Sequence, residues 1–283
     1  MFLIKSYYLF FNLQKIFLRR MPAMKPIREP HYFRRAVKKI IYPFKVLWAC
    51  WWFFLFAFIF LLFYPVFLFL LSNPSRYHAA NWLRRIWAFL LFSFSGLIYR
   101  VKHETKLDHS KTYIFCPNHF SYLDIPLFAL CYSGNKYRYM AKMELGKIPL
   151  FGIFFRTVDI SVNRSSVTES VRTMKLGKES IVRGESLVMF PEGKISVHPP
   201  RMERFKSGPF RIAIEQQVPV VPITMIDNWK LLFVGKKIYV RPGITRAIVH
   251  APISTVGLTI NDVEYLQQKV HSIIEKTLKQ YGN

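Results

Sequence analysis

From Val46 to Leu71 the chain carries no charged side chain, and most residues there are aliphatic or aromatic. At about 1.5 Å of rise per residue, a helix of that length covers the roughly 30 Å hydrocarbon core of a bilayer. The run is therefore read as a membrane anchor. Pro65 interrupts it and leaves Val46 to Tyr64 before the break. Lys45 stands on one side, and Arg76, Arg84 and Arg85 on the other. Cationic flanks favour the cytoplasmic side, so a segment with both flanks there must turn back. Trp87 to Tyr99, too short to span alone, is then the returning arm. The expected anchor is a re-entrant or two-helix element in one leaflet, with a single crossing as the rival.

Ahead of the anchor, residues 1–45 are basic and aromatic, with Glu29 as the only acid. Lys5 and Lys15 break the opening apolar run and no small-residue cleavage site follows, which makes it a poor signal peptide. Either Met21 or Met24 is the true start, or the segment lies in the interface with Lys and Arg at headgroups. The 283 residues carry a formal net charge of +25, which favours polyanionic partners. With an anchor present, the expected partner is membrane lipid, not nucleic acid. Cys50, Cys116 and Cys131 have neither metal-site nor disulfide-framework spacing, so no metal is expected.

From residue 100 the pattern is α/β. Strands are predicted at Tyr113–Cys116, Tyr137–Ala141, Ile160–Val162, Leu187–Phe190 and Val218–Ile226, with a β-rich stretch from Lys237 to His250. Helices are predicted at Asp124–Cys131 and Pro149–Phe155. Another is predicted from Ser165 or Ser166 to Val182, with Val171, Met174 and Ile181 inward. A terminal helix is capped by Asn261 with Glu264 and turns Val263, Leu266, Val270, Ile273, Ile274 and Leu278 to the core. The expected organisation is 1–45 basic segment, 46–99 anchoring helices, and 100–283 a single mixed-sheet α/β domain with flanking helices.

Residues 118–124 read N-H-F-S-Y-L-D. A histidine held by a carboxylate can take a proton from a hydroxyl near neutral pH. Alone, the pair His119 and Asp124 reads equally well as a strand end and a helix cap. Further along stand Lys142 with Glu144, the run D-I-S-V-N-R ending at Arg164, F-P-E-G at Phe190–Gly193, and Phe205-Lys206-Ser207-Gly208. Val220-Val221-Pro222-Ile223 closes the series.

In this order the series resembles the 1-acylglycerol-3-phosphate acyltransferase family, within the glycerolipid acyltransferases, over roughly residues 85 to 250. The resemblance implies a bacterial-type O-acyltransferase of phospholipid synthesis, with its domain on the cytoplasmic face of the cell membrane. It implies His119 as general base on the acceptor hydroxyl and Asp124 as the group that orients it. Asn118, Arg164, Glu192, Gly193, Lys142 and Lys206 become acceptor-site candidates, with Arg164 and the two lysines toward phosphate and the F-P-E-G amides toward phosphate or an oxyanion. The implied donor is acyl-CoA or an acyl carrier protein thioester, with no cofactor. Ser121 beside His119 leaves a covalent route open, although no G-x-S-x-G elbow is present. The third motif departs from the family's F-P-E-G-T-R-S: Lys194 and Ile195 replace Thr and Arg, and Asn163 stands where an acid usually precedes the arginine. That puts the acceptor in question. An ornithine- or glycine-type lyso-lipid is one rival, and a non-enzymatic, membrane-tethered binding protein is the other.

Overall fold

The computed structural model describes residues 31–134, 136–163, 167–234 and 238–282. Met21, Met24, Arg164, Ser165 and Ser166 lie outside the described residues. The chain divides into two compact units, Met1–Phe44 and Lys45–Asn283. In the first, the described residues from His31 are helical.

Helix α1 (His31–Leu71) continues through Pro65. The expected interruption is absent. Proline removes one backbone donor and crowds the preceding turn, but packing holds the helix on both sides: Phe60 and Phe67 are buried with ring centroids 5.9 Å apart. Its Tyr42–Leu71 stretch is the one helix among the described residues long and apolar enough to cross a membrane. Trp52, Leu55, Ile59, Phe60, Phe67 and Leu71 form a buried stripe, while Phe54, Phe58, Leu61, Leu62 and Phe69 stay exposed. An apolar face of that extent is not left to water by ordinary soluble domains.

The chain then reverses. Asn73 caps a short turn, Pro74–Arg76, by accepting from Ser75 N at 3.0 Å. Helix α2 (Tyr77–Phe94) returns antiparallel to α1. Trp51 Nε1 donates to Phe94 O (3.2 Å) at one end, and Arg76 Nη1 donates to Phe69 O (3.4 Å) at the other. The expected returning arm, Trp87–Tyr99, is not one element. Its first part ends α2, and Leu97–Tyr99 opens strand β1 (Leu97–His103). The expected boundary at 99/100 thus falls inside a strand, and the helix pair shares one core with the sheet. Arg84, expected as a cytoplasmic flank, is folded inward against Asp159, with Nη–O distances of 3.1 and 2.6 Å. The acid seventy-five positions on gives its charge a buried partner that the local sequence does not show.

The remaining strands are β2 (Ile114–Pro117), β3 (Tyr137–Lys142), β4 (Ile160–Val162), β5 (Ser186–Val188), β6 (Val220–Met225), β7 (Leu232–Val234), β8 (Ile238–Val240) and β9 (Gly243–Val249). Seven form one mixed sheet in the order β1-β9-β6-β2-β5-β3-β4. Strands β2 to β6 are mutually parallel, whereas β9 is antiparallel to β6 and pairs parallel with β1. Strands β2 and β6 are buried along their whole length, which is why they read as near-continuous apolar runs. Strands β7 and β8 form a separate antiparallel hairpin. The helices that follow α2 are α3 (Asp124–Cys131), α4 (Ile153–Arg156), α5 (Val167–Val182), α6 (Gly208–Glu215), α7 (Asn228–Leu231) and α8 (Val263–Gln280).

Three expectations are corrected. The helix predicted over Pro149–Phe155 shrinks to α4, because Leu150 takes a positive φ of 62° that no α-helix continues. Val171 is exposed. Ile181 is buried and Met174 packs against the core as spaced, and beside them Thr173, Gly177 and Ser180 are small residues that let the helix approach closely: a Cβ on Gly177 would sit 3.1 Å from Ile212 Cδ1. The last helix is entered through a capping box of Thr259 and Asp262, not through Asn261 and Glu264. Its stripe of Leu266, Val270, Ile274 and Leu278 is buried as spaced.

The parallel strands fix the site. Their carboxyl ends share one edge of the sheet, where ligands of α/β folds collect. Strand β2 delivers Asn118 and His119 there, β5 delivers Phe190–Gly193, and β6 delivers Asp227 and Asn228.

Candidate active site

His119 leaves the end of β2 in a tight loop closed by Asp124, the first residue of α3. Asp124 is fully buried, and four donors meet its carboxylate. Oδ2 lies 3.0 Å from His119 Nδ1 and accepts from Phe120 N (2.7 Å) and Ser121 N (2.8 Å), while Oδ1 accepts from Asn228 Nδ2 (2.7 Å). A carboxylate so placed is an acceptor only, so the Nδ1 proton is the one it holds. That leaves Nε2 as the basic nitrogen, and no group among the described residues hydrogen-bonds it. The ring stacks on Phe190 with centroids 4.1 Å apart, which fixes its plane.

The F-P-E-G turn meets the same loop. Gly193 takes φ 74° as Gly193 N donates to Phe190 O (3.0 Å), a conformation that costs glycine little. Glu192 is buried: Oε1 accepts from His119 N (2.7 Å) and Oε2 from Glu203 N (2.7 Å). Burial pushes its carboxyl up to about 8, helped by the Asp124 and Glu203 carboxylates and opposed by those two amides. Its carboxylate therefore holds the histidine loop, and Glu192 is not among the cavity-lining residues. A folded value above the unfolded one stabilises the fold fully below about pH 4.5 and loses that contribution as pH rises through about 8. Glu192→Gln removes the titration and replaces one of the two accepting oxygens with a donor that faces a backbone N–H. The variant should melt below the wild type at pH 5, with the gap narrowing by a few kcal/mol toward pH 9. A gap independent of pH in calorimetry would contradict this.

The remaining sequence candidates separate. Asn118 is fully buried, with Nδ2 donating to Met225 O (3.1 Å) and Oδ1 accepting from Met225 N (2.7 Å). Its amide ties β2 to β6 and is not free for an acceptor. Lys142 lines the cavity and pairs with Glu144 at 3.3 Å. Lys206 is exposed and away from the cavity lining; its backbone N donates to Pro191 O (2.7 Å) and braces the turn. Ser121 is buried and its hydroxyl donates to Leu232 O (2.6 Å), which commits the proton a nucleophile would need to give His119. The Cys116 thiol is fully buried, which pushes its pKa far up and excludes a thiolate.

His119 opens onto a cavity of about 1040 Å³. Phe60 and Phe67 of α1, Trp87 of α2, and Phe151 and Phe154 supply much of its apolar wall. Residues Gly193 to His198 and the β7–β8 hairpin complete it. Ile195, which stands in a basic position of the resembling motif, is among the lining residues.

A family model described as acyltransferase matches residues 98–226. The yeast Saccharomyces cerevisiae 1-acyl-sn-glycerol-3-phosphate acyltransferase is 29% identical over 212 residues, covering 74% of this chain and 69% of that protein. Residues 98–226 are thus similar to an acyltransferase domain. The chloroplastic 1-acyl-sn-glycerol-3-phosphate acyltransferase of Brassica napus is 33% identical over 141 residues, half of this chain. The chain spans about half the length of several relatives it matches: 40%, 60% and 51% of the Brassica napus, Chlamydomonas reinhardtii and Arabidopsis thaliana proteins. The fold of this chain is that of the crystal structure of the 1-acyl-sn-glycerophosphate acyltransferase PlsC from Thermotoga maritima. There the TM-score is 0.70 at 22% identity, over 84% of this chain and 96% of that one.

The sequence did not flag Asn228 or Thr245. Thr245 Oγ1 donates to Asn228 Oδ1 (2.6 Å), which turns the Asn228 amide hydrogens to Asp124. All three side chains are buried. No motif signals them, because the link joins β6 and β9 to α3 only in the folded sheet. Lys194 and Ile195 also matter through their backbone: among the described residues neither N–H has a partner in the protein, and both residues line the cavity.

Proposed function

We propose that the chain moves a fatty acyl group from an acyl thioester, on coenzyme A or acyl carrier protein, to the free hydroxyl of a lysophospholipid. The acceptor we assign is 1-acyl-sn-glycerol 3-phosphate, giving phosphatidate, at the cytoplasmic face of the cell membrane. The observation that carries this is the His119–Asp124 pair, with Nε2 unclaimed at the wall of an apolar cavity.

The chemistry follows from the geometry. His119 Nε2 takes the hydroxyl proton as that oxygen attacks the thioester carbonyl. Asp124 keeps the Nδ1 proton in place and stabilises the imidazolium. The free Lys194 and Ile195 amides are suited to receive the oxyanion. Collapse breaks the C–S bond, and the imidazolium returns its proton to the departing thiolate. The cations at the cavity wall, Lys142 and Lys194, suit an anionic headgroup, and the basic chain steers an anionic donor. Arg164 remains our phosphate ligand by its place in the motif. No cofactor is needed for this sequence of steps.

Labelled acyl transfer to a panel of lyso-lipids tests the acceptor. Lysophosphatidate should be turned over fastest. Strong turnover of an ornithine- or glycine-type lyso-lipid with weak turnover of lysophosphatidate would move the assignment to that acceptor, in line with Ile195.

A further inference from the structure

The turn that carries Glu192 runs on into a loop, residues 193–207, that is tied down along its length. Ser196 N donates to His119 O (2.9 Å), Glu203 N to Glu192 Oε2 (2.7 Å) and Lys206 N to Pro191 O (2.7 Å). Ser196 Oγ donates to Arg201 O (2.7 Å), and Arg201 N donates to His198 O (2.9 Å). Phe205 is buried, and its carbonyl accepts from Gln267 Nε2 (2.9 Å) on α8. The loop therefore presents its outward side chains from a fixed backbone, and its first part, Gly193 to His198, is cavity wall.

The outward side chains beyond that wall are cations. Arg201, Arg204 and Lys206 are exposed on the loop, and Arg211 on α6. Lys194 pairs with Glu203 at 3.4 Å. None of the other four makes an ion pair or a side-chain hydrogen bond among the described residues. They also lie together. Arg201 is bonded through its backbone to His198 of the cavity wall. Arg204 and Lys206 flank the buried Phe205 and so turn outward. Arg211 N donates to Ser207 O (3.0 Å), which sets Arg211 one turn beyond the neighbour of Lys206. The result is a stripe that starts at the cavity wall and leads away from it, and unpaired cations so arranged call for an anionic partner.

What the stripe lacks selects that partner. Between His198 and Glu215 no large apolar side chain is exposed, in contrast to the lipid-suited face of α1, so this surface has nothing to insert into a bilayer. No aromatic ring is exposed there either, and a nucleotide base has nothing to stack on. Spaced arginines on an exposed, fixed loop suit the carboxylates of a protein surface. We infer that Arg201, Arg204, Lys206 and Arg211 dock an acidic carrier protein and bring its thioester arm to the cavity wall beside them. The inference rests on the proposed acyl transfer and names which of its two donors the chain is built to receive.

The test uses the full chain in phosphatidylcholine vesicles, with one acyl group presented either on an acidic carrier protein or on coenzyme A. Arg201→Glu/Arg204→Glu/Arg211→Glu reverses the stripe without changing a cavity-lining residue. A thermal melt checks its fold, and Arg204→Gln/Arg211→Gln is read in its place if the reversal does not fold. The KM for the carrier-protein donor should rise about tenfold with kcat held, while kcat/KM for the coenzyme A donor stays within about threefold. Added salt should weaken the wild type on the carrier-protein donor and hardly change the variant. Equal losses on both donors overturn the inference and make the stripe a phosphate site common to them. An unchanged KM for the carrier-protein donor overturns it as well. So does a loss that appears only when anionic lipid replaces phosphatidylcholine, which would make the stripe a membrane contact. Binding is read apart from turnover, by anisotropy of fluorescently labelled carrier protein without an acyl group. A wild type that binds this probe, beside a variant that does not, yet acylates with neither donor counts against the proposed function alone. A wild type that fails to bind it counts against the docking stripe.

Discussion

His119→Ala is expected to lower acyl transfer about 10²- to 10⁴-fold, the usual contribution of a positioned general base. That is about 3 to 5 kcal/mol of transition-state stabilisation. The loss should fall on kcat, because the side chain acts on a proton that moves only as the hydroxyl attacks. Folding should survive. The imidazole sits at a cavity wall, and its removal frees one face of Phe190 and one of the four donors on Asp124. Initial rates with labelled acyl thioester, beside a thermal melt of the same preparation, separate the two effects. A variant that melts normally and keeps a tenth or more of wild-type turnover would remove His119 from the reaction. Residual turnover through an acyl-enzyme is not expected, since the Ser121 hydroxyl is committed to Leu232.

Much of the fold was written locally. Strands β2 and β6 announce themselves as short apolar runs because a parallel strand in mid-sheet is covered on both faces. Helix α3 was placed at its observed ends, since an acid at its first turn and a following extended residue mark both. The errors came where a distant partner overrides a local signal. Pro65 reads as a break until Phe60 and Phe67 hold the helix together across it. Arg84 reads as a flanking charge until Asp159 arrives from the loop before β4. Trp87–Tyr99 reads as one apolar segment, yet Gly96, at φ 64°, turns the chain between α2 and β1.

The site divides on the same line. His119 and Asp124 lie five positions apart, and their contact follows from one loop, so the sequence shows it. Glu192 was legible as a motif but not in its role, which depends on the amides of His119 and Glu203 converging on one carboxylate. Asn118 reads as an acceptor ligand because it neighbours the histidine, but just past the end of β2 its amide takes up both backbone groups of Met225 on β6, a partner 107 positions away. Asn228 and Thr245 were illegible, since nothing short-range distinguishes an Asn that meets a carboxylate more than a hundred positions away.

Asp124→Asn should cost about 10³- to 10⁴-fold in turnover while leaving a folded protein. The reason lies in the donors that surround it. Asparagine keeps the shape and one acceptor oxygen, so Phe120 N and Ser121 N still have a partner on the Oδ2 side. On the other side its amide would face the Asn228 amide, donor against donor. Asn228 can flip to accept, provided the Thr245 hydroxyl turns from donor to acceptor, and a hydroxyl does both. The neutral side chain is thus accommodated, but the imidazolium formed during attack has lost its counter-charge. Asp124→Ala lacks this escape. It leaves four buried donors unpaired, each costing about 1 to 3 kcal/mol, and should fail to fold or melt far below the wild type. The pair of single variants with His119→Ala/Asp124→Asn forms a cycle that reads the coupling directly. If Asp124 acts only through the histidine, Asp124→Asn should cost almost nothing in rate once the imidazole is gone. Full additivity of the two losses would show the carboxylate contributing to the reaction on its own, and the base would then need another orienting group.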